Sequence, residues 1–173
     1  DEVLEEARRR TGLTDLGAES DLGYAQALEG LGILLGAGQR LQREGAFTPL
    51  GRFAFGEGLI DGAVMRLRTI EAQKRHAEQL ATLQLRPIFV VGLARSGTTF
   101  LYNLLAQDQR YRPLMLAEAL TPALSAAQEA GDEIDDRFAH CHEKLFPLRF
   151  LNPRFRAIHE SRCDGSEECI LLY

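Results

Sequence analysis

The sequence is poor in cysteine and has no excess of positive charge. Its cysteines are an odd number, three, and no signal-peptide pattern precedes them: Cys141, Cys163 and Cys169. Because disulfide frameworks belong to oxidising compartments, we expect reduced thiols, no disulfide framework and a cytoplasmic protein. The formal net charge of −5 argues against the basic surface that nucleic-acid-binding proteins normally have, so no nucleic-acid partner is expected.

Long apolar runs are also absent. The most apolar N-terminal stretch, residues 31–37, is far shorter than the roughly 20 residues that a membrane-spanning helix needs, so we predict no transmembrane segment. Hydrophobic residues make up 45% of the chain, which is enough for the core of a domain. The chain opens without methionine and closes on the apolar residues 170–173, which are typical of a buried helix. We therefore expect that both ends are cut.

Residues 1–85 have the pattern of an all-helical region. Apolar residues recur there at steps of three and four, which is typical of helices with one buried face. Thr48 followed by Pro49 is a helix-start signal, with threonine as N-cap and proline in the first turn. Two glycine pairs have a spacing that permits close helix approach, Gly32 with Gly36 and Gly58 with Gly62, and we favour tight packing inside one domain over a dimer face.

A different pattern begins at residue 86. Residues 88–91, Ile-Phe-Val-Val, form a short β-branched and aromatic run that ends at Gly92, as expected of a strand buried in a parallel sheet. Residues 100–105 then have one apolar helical face, and residues 112–116 could form a second strand. We predict an α/β fold for residues 86–173, with a parallel sheet that is incomplete in this chain.

The segment between the first predicted strand and its helix reads Gly-Leu-Ala-Arg-Ser-Gly-Thr-Thr, from Gly92 to Thr99. Its spacing is that of a phosphate-binding P-loop, except that Thr98 takes the place of the lysine. Glycines let the backbone curl around an anion, and the amides of the following helix point at it. Ser96 and both threonines add hydroxyl donors, and Arg95 adds a cation. A plain strand-to-helix turn needs none of these, so we predict an anion-binding loop in a P-loop-like core.

The residues from Val91 to Leu101 resemble the 5′-phosphosulfate-binding loop of sulfotransferases. The arginine and the leading glycine are similar to the bacterial branch of that family, and residues 106–112, 116–120, 159–160 and 167–169 agree with it. The resemblance implies a P-loop-like enzyme that moves a sulfuryl group from 3′-phosphoadenosine 5′-phosphosulfate to a hydroxyl or amine, releases adenosine 3′,5′-bisphosphate and needs no metal. It assigns donor binding to seven residues: Gly92, Ala94, Arg95, Ser96, Gly97, Thr98 and Thr99.

The resemblance also suggests catalytic residues. Arg95 would stabilise the charge that grows on the leaving 5′-phosphate. Glu118 follows the second predicted strand, at the sheet edge where such folds bind ligands, and could be the general base. His159 is the rival, because an imidazole titrates near neutral pH. Glu118 could instead be a helix-terminal acid, and His159 a core histidine. Five arginines, although most at this density are solvated, are candidates for binding anions: Arg110, Arg112, Arg149, Arg154 and Arg156.

Three alternatives stay open. A nucleotide kinase would share the loop, although Thr98 in the lysine position argues against it. A zinc-stabilised module would need ligands from a set without a CxxC knuckle: His140, Cys141, His142, His159, Cys163 and Cys169. A non-catalytic remnant would bind the nucleotide without transferring anything.

The resemblance places the residues for the donor's 3′-phosphate beyond Tyr173. We therefore expect this chain alone to be inactive and to aggregate, to oligomerise or to depend on a partner for stability. A homo-oligomer is one form that this could take. The acceptor class that the family implies is a small molecule, a carbohydrate or a lipid-like or polyketide-like hydroxyl, and the sequence does not choose among them.

Overall fold

The structure is a computed structural model that describes residues 2–18, 23–93, 96–152, 154 and 161–167, with the backbone alone at residue 148. The helices within these residues are α1 (Glu2–Thr11), α2 (Tyr24–Arg43), α3 (Pro49–Arg75), α4 (Ala77–Thr82), α5 (Thr98–Leu105), α6 (Leu116–Leu120), α7 (Ala126–Ala130) and α8 (Arg137–Leu151). The chain divides into two compact units, Asp1–Leu80 and Ala81–Tyr173. The predicted domain division at residues 85 and 86 stays a prediction. In the described helices, no segment is both long and apolar enough to cross a membrane.

In the first unit, α1 packs on α3. Ala7 of α1 is buried against Ala63 and Leu67 of α3. The Arg10 guanidinium on α1 donates two hydrogen bonds to the Glu57 carboxylate on α3, with N–O distances of 2.9 and 3.0 Å. The helices predicted for this part of the chain are therefore present, and an apolar contact and an ion pair hold two of them together.

The predicted start of α3 is confirmed, but the predicted close packing at glycines is wrong. The Thr48 hydroxyl accepts the Gly51 N–H at 3.0 Å, as an N-cap does, with Pro49 in the first turn. The close approach of α2 to α3 occurs at Gly38, where an added Cβ would overlap the Phe55 ring. An added Cβ at any glycine of the two predicted pairs would have nothing within 4 Å. Glycine spacing does not say which face of a helix meets a neighbour.

The predicted parallel sheet is wrong. The described residues form no β-strand, and the β-type pairing within them is an isolated antiparallel bridge between Met115 and Ser166. Phe89 and Val91 of the first predicted strand are 73% and 89% exposed. A strand exists only when a neighbouring backbone pairs with it, so β-branched residues alone do not produce one. The second predicted strand is interrupted because α6 begins at Leu116.

The core of the second unit lies between α6 and α8. Leu116 and Ala117 of α6 are buried against Leu145 of α8. Cys141 and Cys163 lie in the same cluster and form a disulfide, with their Cα atoms 5.8 Å apart. The expectation of reduced thiols is therefore wrong for this pair, because a count of cysteines does not show which of them meet in space.

Residues 163–167 attach to the beginning of α6. The Leu116 N–H donates to the Gly165 carbonyl at 3.0 Å, and the Glu167 N–H donates to the Leu114 carbonyl at 2.9 Å. The disulfide fixes the same segment to α8. The beginning of α6, which carries Glu118, is thereby held in place by backbone hydrogen bonds and a covalent link.

Candidate functional site

The predicted anion-binding loop requires both of its glycines. Gly97 has a φ of 90°, in the left-handed region that favours glycine, and directly precedes α5. A Cβ on Gly92 would lie 2.6 Å from Ser96 Oγ and 2.8 Å from Thr98 Cγ2. The Ser96 N–H and hydroxyl both donate to the Leu93 carbonyl, at 3.1 and 2.6 Å. The glycine spacing therefore reflects a tightly folded loop.

A cleft of about 490 Å³ lies beside this loop and the beginning of α5. Thr98 and Thr99 line it from the first turn of α5, together with Tyr102, one turn later. Arg112 and Glu167 are its charged lining residues among those described. The first N–H groups of a helix have no intrahelical acceptor, and that end of the helix favours negative charge. The amides at the beginning of α5, the two threonine hydroxyls and the Arg112 guanidinium therefore provide donors for an oxyanion in one part of the cleft, whose lining also includes the apolar residues 87–91.

The structure brings part of the predicted site together. Gly92, Thr98 and Thr99 line the cleft, and Ser96 and Gly97 directly precede α5. Four of the candidate binding and catalytic residues lie outside the described residues: Ala94, Arg95, Arg156 and His159. Their roles in binding and catalysis stay predictions.

Glu118 lies behind Arg112 and is not among the lining residues of the cleft. Its Oε1 atom accepts a hydrogen bond from Arg112 Nη2 at 2.5 Å, and its side chain is 9% exposed. Its Oε2 atom accepts the Met115 N–H at 3.2 Å, the contact of an acid in the first turn of a helix. The helix-terminal role that the sequence left open for Glu118 is present, and its role as general base stays a prediction.

A second guanidinium lies near the Glu118 carboxylate without donating a hydrogen bond to it. Arg137 Nη1 lies 3.9 Å from Glu118 Oε1, while Arg137 Nη2 donates to Asp135 Oδ2 at 2.6 Å. The hydrogen bond with Asp135 raises the pKa of Arg137 and lowers the pKa of Asp135. Arg112 is therefore the main countercharge of Glu118.

Tyr102 is a cleft residue that the sequence did not single out. Its hydroxyl oxygen accepts the Leu114 N–H at 2.8 Å and so joins α5 to the segment before α6. Tyr102 follows Thr98 by four residues, and residues at that spacing share one face of a helix. This spacing is the signal that could have identified it.

The candidate arginines differ in their partners. Arg110 donates to Asp108 at 2.5 to 3.0 Å on the protein surface, and this contact lowers the pKa of Asp108. Arg149 donates to the Ser161 carbonyl at 2.7 Å. Among the described candidates, Arg112 lines the cleft. Sequence reasoning could not separate it from the others because the cleft is formed by segments that are far apart in the sequence.

The zinc alternative has no support in the described residues. Within them, no group of three or more His, Cys, Asp or Glu side chains could hold a metal ion. Cys141 and Cys163, two of the ligands that this alternative needs, are bonded to each other.

A glycine-bounded loop with hydroxyl donors at a helix start defines a class of phosphate- or sulfate-binding proteins. Residues 87–173 match the model of the "Sulfotransferase family". The structure is similar to the solved sulfotransferase STF1 from Mycobacterium tuberculosis H37Rv (type1 form), with a TM-score of 0.72 and 30% identity over 99% of this chain. No curated protein matches. The chain belongs to the sulfotransferase family, and the resemblance found in the sequence is confirmed. It spans 45% of the length of the STF1 chain.

Proposed function

We propose that the protein transfers a sulfuryl group from 3′-phosphoadenosine 5′-phosphosulfate to an acceptor hydroxyl or amine. The observation that supports this is the loop of residues 92–99, which lines a cleft with Gly92, Thr98 and Thr99 in a chain of the sulfotransferase family. Gly92 lines the cleft, and a Cβ at this position would overlap the Ser96 and Thr98 side chains of the loop. The nucleotide would supply the sulfuryl group and a 5′-phosphate leaving group.

The loop residues are proposed to act on the 5′ side of the donor. Amides at the beginning of α5 and the hydroxyls of Thr98 and Thr99 would donate hydrogen bonds to its oxygens. By analogy with phosphoryl transfer, negative charge grows on the bridging oxygen in the transition state, and a fixed donor stabilises it most there. Arg95 is proposed as that donor.

Ligand-dependent unfolding tests this proposal. The purified chain is unfolded thermally with adenosine 3′,5′-bisphosphate, with ATP and Mg²⁺, or with inorganic sulfate. We expect the bisphosphate to stabilise the chain through its 5′-phosphate, because the residues for its 3′-phosphate are expected beyond Tyr173, and a ligand at a hundred times its Kd adds about 2.7 kcal/mol. Gly92→Ala should lose the response because the added Cβ overlaps the loop, whereas Gly58→Ala, with nothing within 4 Å, should keep it. Stabilisation by ATP alone would favour a kinase.

Replacement of Arg95 tests the catalytic role of the loop, in an enzyme preparation with measurable sulfotransferase activity. Arg95→Ala should lower turnover by about 10²- to 10³-fold, as removal of an oxyanion donor does. Arg95→Lys should keep part of the activity, because the resemblance includes a branch of the family with lysine at this position. Turnover of Arg95→Ala close to that of the wild type would contradict the assignment.

The general base is proposed to be Glu118 or His159. Removing the true base should lower turnover by about 10²- to 10⁴-fold and leave nucleotide binding intact. Glu118→Gln and His159→Ala should therefore differ. Normal turnover of both variants with the natural acceptor would exclude both residues.

The acceptor and the setting belong to the same proposal. We propose a small-molecule acceptor, with a carbohydrate, a lipid or a polyketide-like hydroxyl as the candidates. Because the chain spans 45% of the STF1 chain, we propose that residues 1–173 alone bind anions without transferring a sulfuryl group. A homo-oligomer and a cytoplasmic location are also predictions. The Cys141–Cys163 disulfide argues against the cytoplasmic location, because disulfides are rare in the cytosol.

A further inference from the structure

Arg112 connects the cleft to the buried core of the second unit. It lines the cleft with Thr98 and Thr99, and its Nη2 atom donates to Glu118 Oε1 at 2.5 Å. The Arg112 side chain is 78% exposed and the Glu118 side chain is 9% exposed. One side of this contact is therefore fixed in the protein, and the other is open to the cleft.

The Arg112 guanidinium has donors to spare. A guanidinium carries five N–H groups, and within the described residues Arg112 makes one hydrogen bond, to Glu118. Its planar fork matches the oxygens of a phosphate or sulfate group. Arg110, two residues earlier, instead directs both Nε and Nη2 at Asp108 and does not line the cleft.

Glu118 is suited to hold this guanidinium in place. Its neighbours Leu116, Ala117 and Ala119 on α6 are buried, so the helix that carries the carboxylate is fixed. The Met115 N–H occupies its second oxygen.

We propose that Arg112 binds a phosphate or sulfate oxyanion of the ligand in the cleft, and that Glu118 is the positioning residue that holds Arg112 there. This inference rests on the proposed function, because it takes the cleft as the donor site. It does not assign the general base, since Glu118 acts here through Arg112.

Calorimetric titration of the purified chain tests the role of Arg112, with adenosine 3′,5′-bisphosphate and with inorganic sulfate as the probes. Arg112→Ala should raise Kd roughly ten- to a hundredfold, the effect of losing hydrogen bonds between charged groups. Arg112→Lys should fall between this variant and the wild type, because it keeps a charge without the fork. Arg110→Ala is the matched control and should change Kd by about twofold or less, as surface substitutions away from a ligand do.

The role of Glu118 needs a double-mutant cycle. Glu118→Gln should weaken binding less than Glu118→Ala, because its amide oxygen can still accept from Arg112 although its NH2 group cannot accept the Met115 N–H and its charge is lost. Glu118→Ala should weaken binding in the wild-type background and have no further effect in the Arg112→Ala background. An equal loss of affinity in both backgrounds would show that Glu118 stabilises α6 without positioning Arg112. If Glu118→Ala does not fold, Glu118→Asp takes its place in the cycle, because it retracts the carboxylate from Arg112 without removing its charge.

The outcomes separate this inference from the proposed function. If the bisphosphate binds and Arg112→Ala binds it equally well, the role of Arg112 is refuted while the proposed function stands. If sulfate binds through Arg112 and the bisphosphate does not bind, the anion site stands and the donor assignment fails. If neither probe binds to the wild type, both fail.

Discussion

Reduction of the Cys141–Cys163 disulfide should lower the stability of the second unit by roughly 3 kcal/mol. The two cysteines are separated by 22 residues, and cross-linking a loop of about that length removes chain entropy of this size from the unfolded state. Both residues are buried in the core between α6 and α8. Reduced thiols would remain there as small apolar groups, so the loss of the cross-link is the main effect.

Urea unfolding with and without dithiothreitol measures this loss. The reductant should lower the free energy of unfolding of the wild type by about 3 kcal/mol and leave the Cys141→Ala/Cys163→Ala double variant unchanged. Cys169→Ala is the control and should respond to the reductant as the wild type does, because Cys169 takes no part in this bond.

Reduction of the disulfide should also affect ligand binding in the cleft. Ser166 and Glu167 line the cleft from the segment that the disulfide fixes to α8, so its release should weaken the binding of adenosine 3′,5′-bisphosphate. Thiol titration of unfolded, unreduced protein should detect Cys169 alone. Detection of all three cysteines, or unfolding curves that the reductant does not move, would refute the reasoning.

Two further predictions concern the first unit, and urea unfolding checks both. Gly38→Ala should destabilise it by about 1–2 kcal/mol through overlap with a ring of α3, whereas Gly36→Ala should stabilise it by about 1 kcal/mol, because its added Cβ meets nothing and alanine favours helix; shifts of the same sign would contradict this. The pKa of Glu6 is lowered from 4.5 to about 2 by hydrogen bonds from Arg9 and Arg10. Because the folded-state pKa is the lower one, the stability that Glu6 contributes is complete above pH 4.5 and is lost as the pH falls towards 2. Glu6→Gln should flatten the pH dependence in that window and Glu5→Gln should not; equal profiles for the two variants would refute the assignment.

Features that depend on near neighbours in the chain could be predicted from the sequence. The start of α3 follows from Thr48 and Pro49, whose capping contact spans three residues. The loop before α5 follows from Gly92 and Gly97, because a Cβ at the first would overlap its own loop and the second has a positive φ. In both cases the physical cause and the sequence signal lie within one turn.

Features that need a second segment could not be predicted in this way. Residues 88–91 have the composition of a strand, but in the described residues no backbone pairs with them. Cys141 lies on α8, which packs on α6, and Cys163 meets it from a segment whose carbonyl accepts the Ala117 N–H of α6. Gly38 packs against the Phe55 ring, although the glycine spacing in the sequence predicted a contact at neither residue. Composition and periodicity describe one segment at a time, and each of these features is a property of two.

Glu118 combines a contact within its own helix turn with a contact to a second segment. Its position in the first turn of α6 is local, and its contact with Arg112 joins that turn to the cleft. As a general base it would take up a proton, and protonation would remove the charge that holds Arg112. The base and the anchor therefore make opposite demands on the same carboxylate. Because Glu118→Gln keeps an acceptor for Arg112 but cannot take a proton, its nucleotide affinity reports on the anchor and its turnover reports on the base.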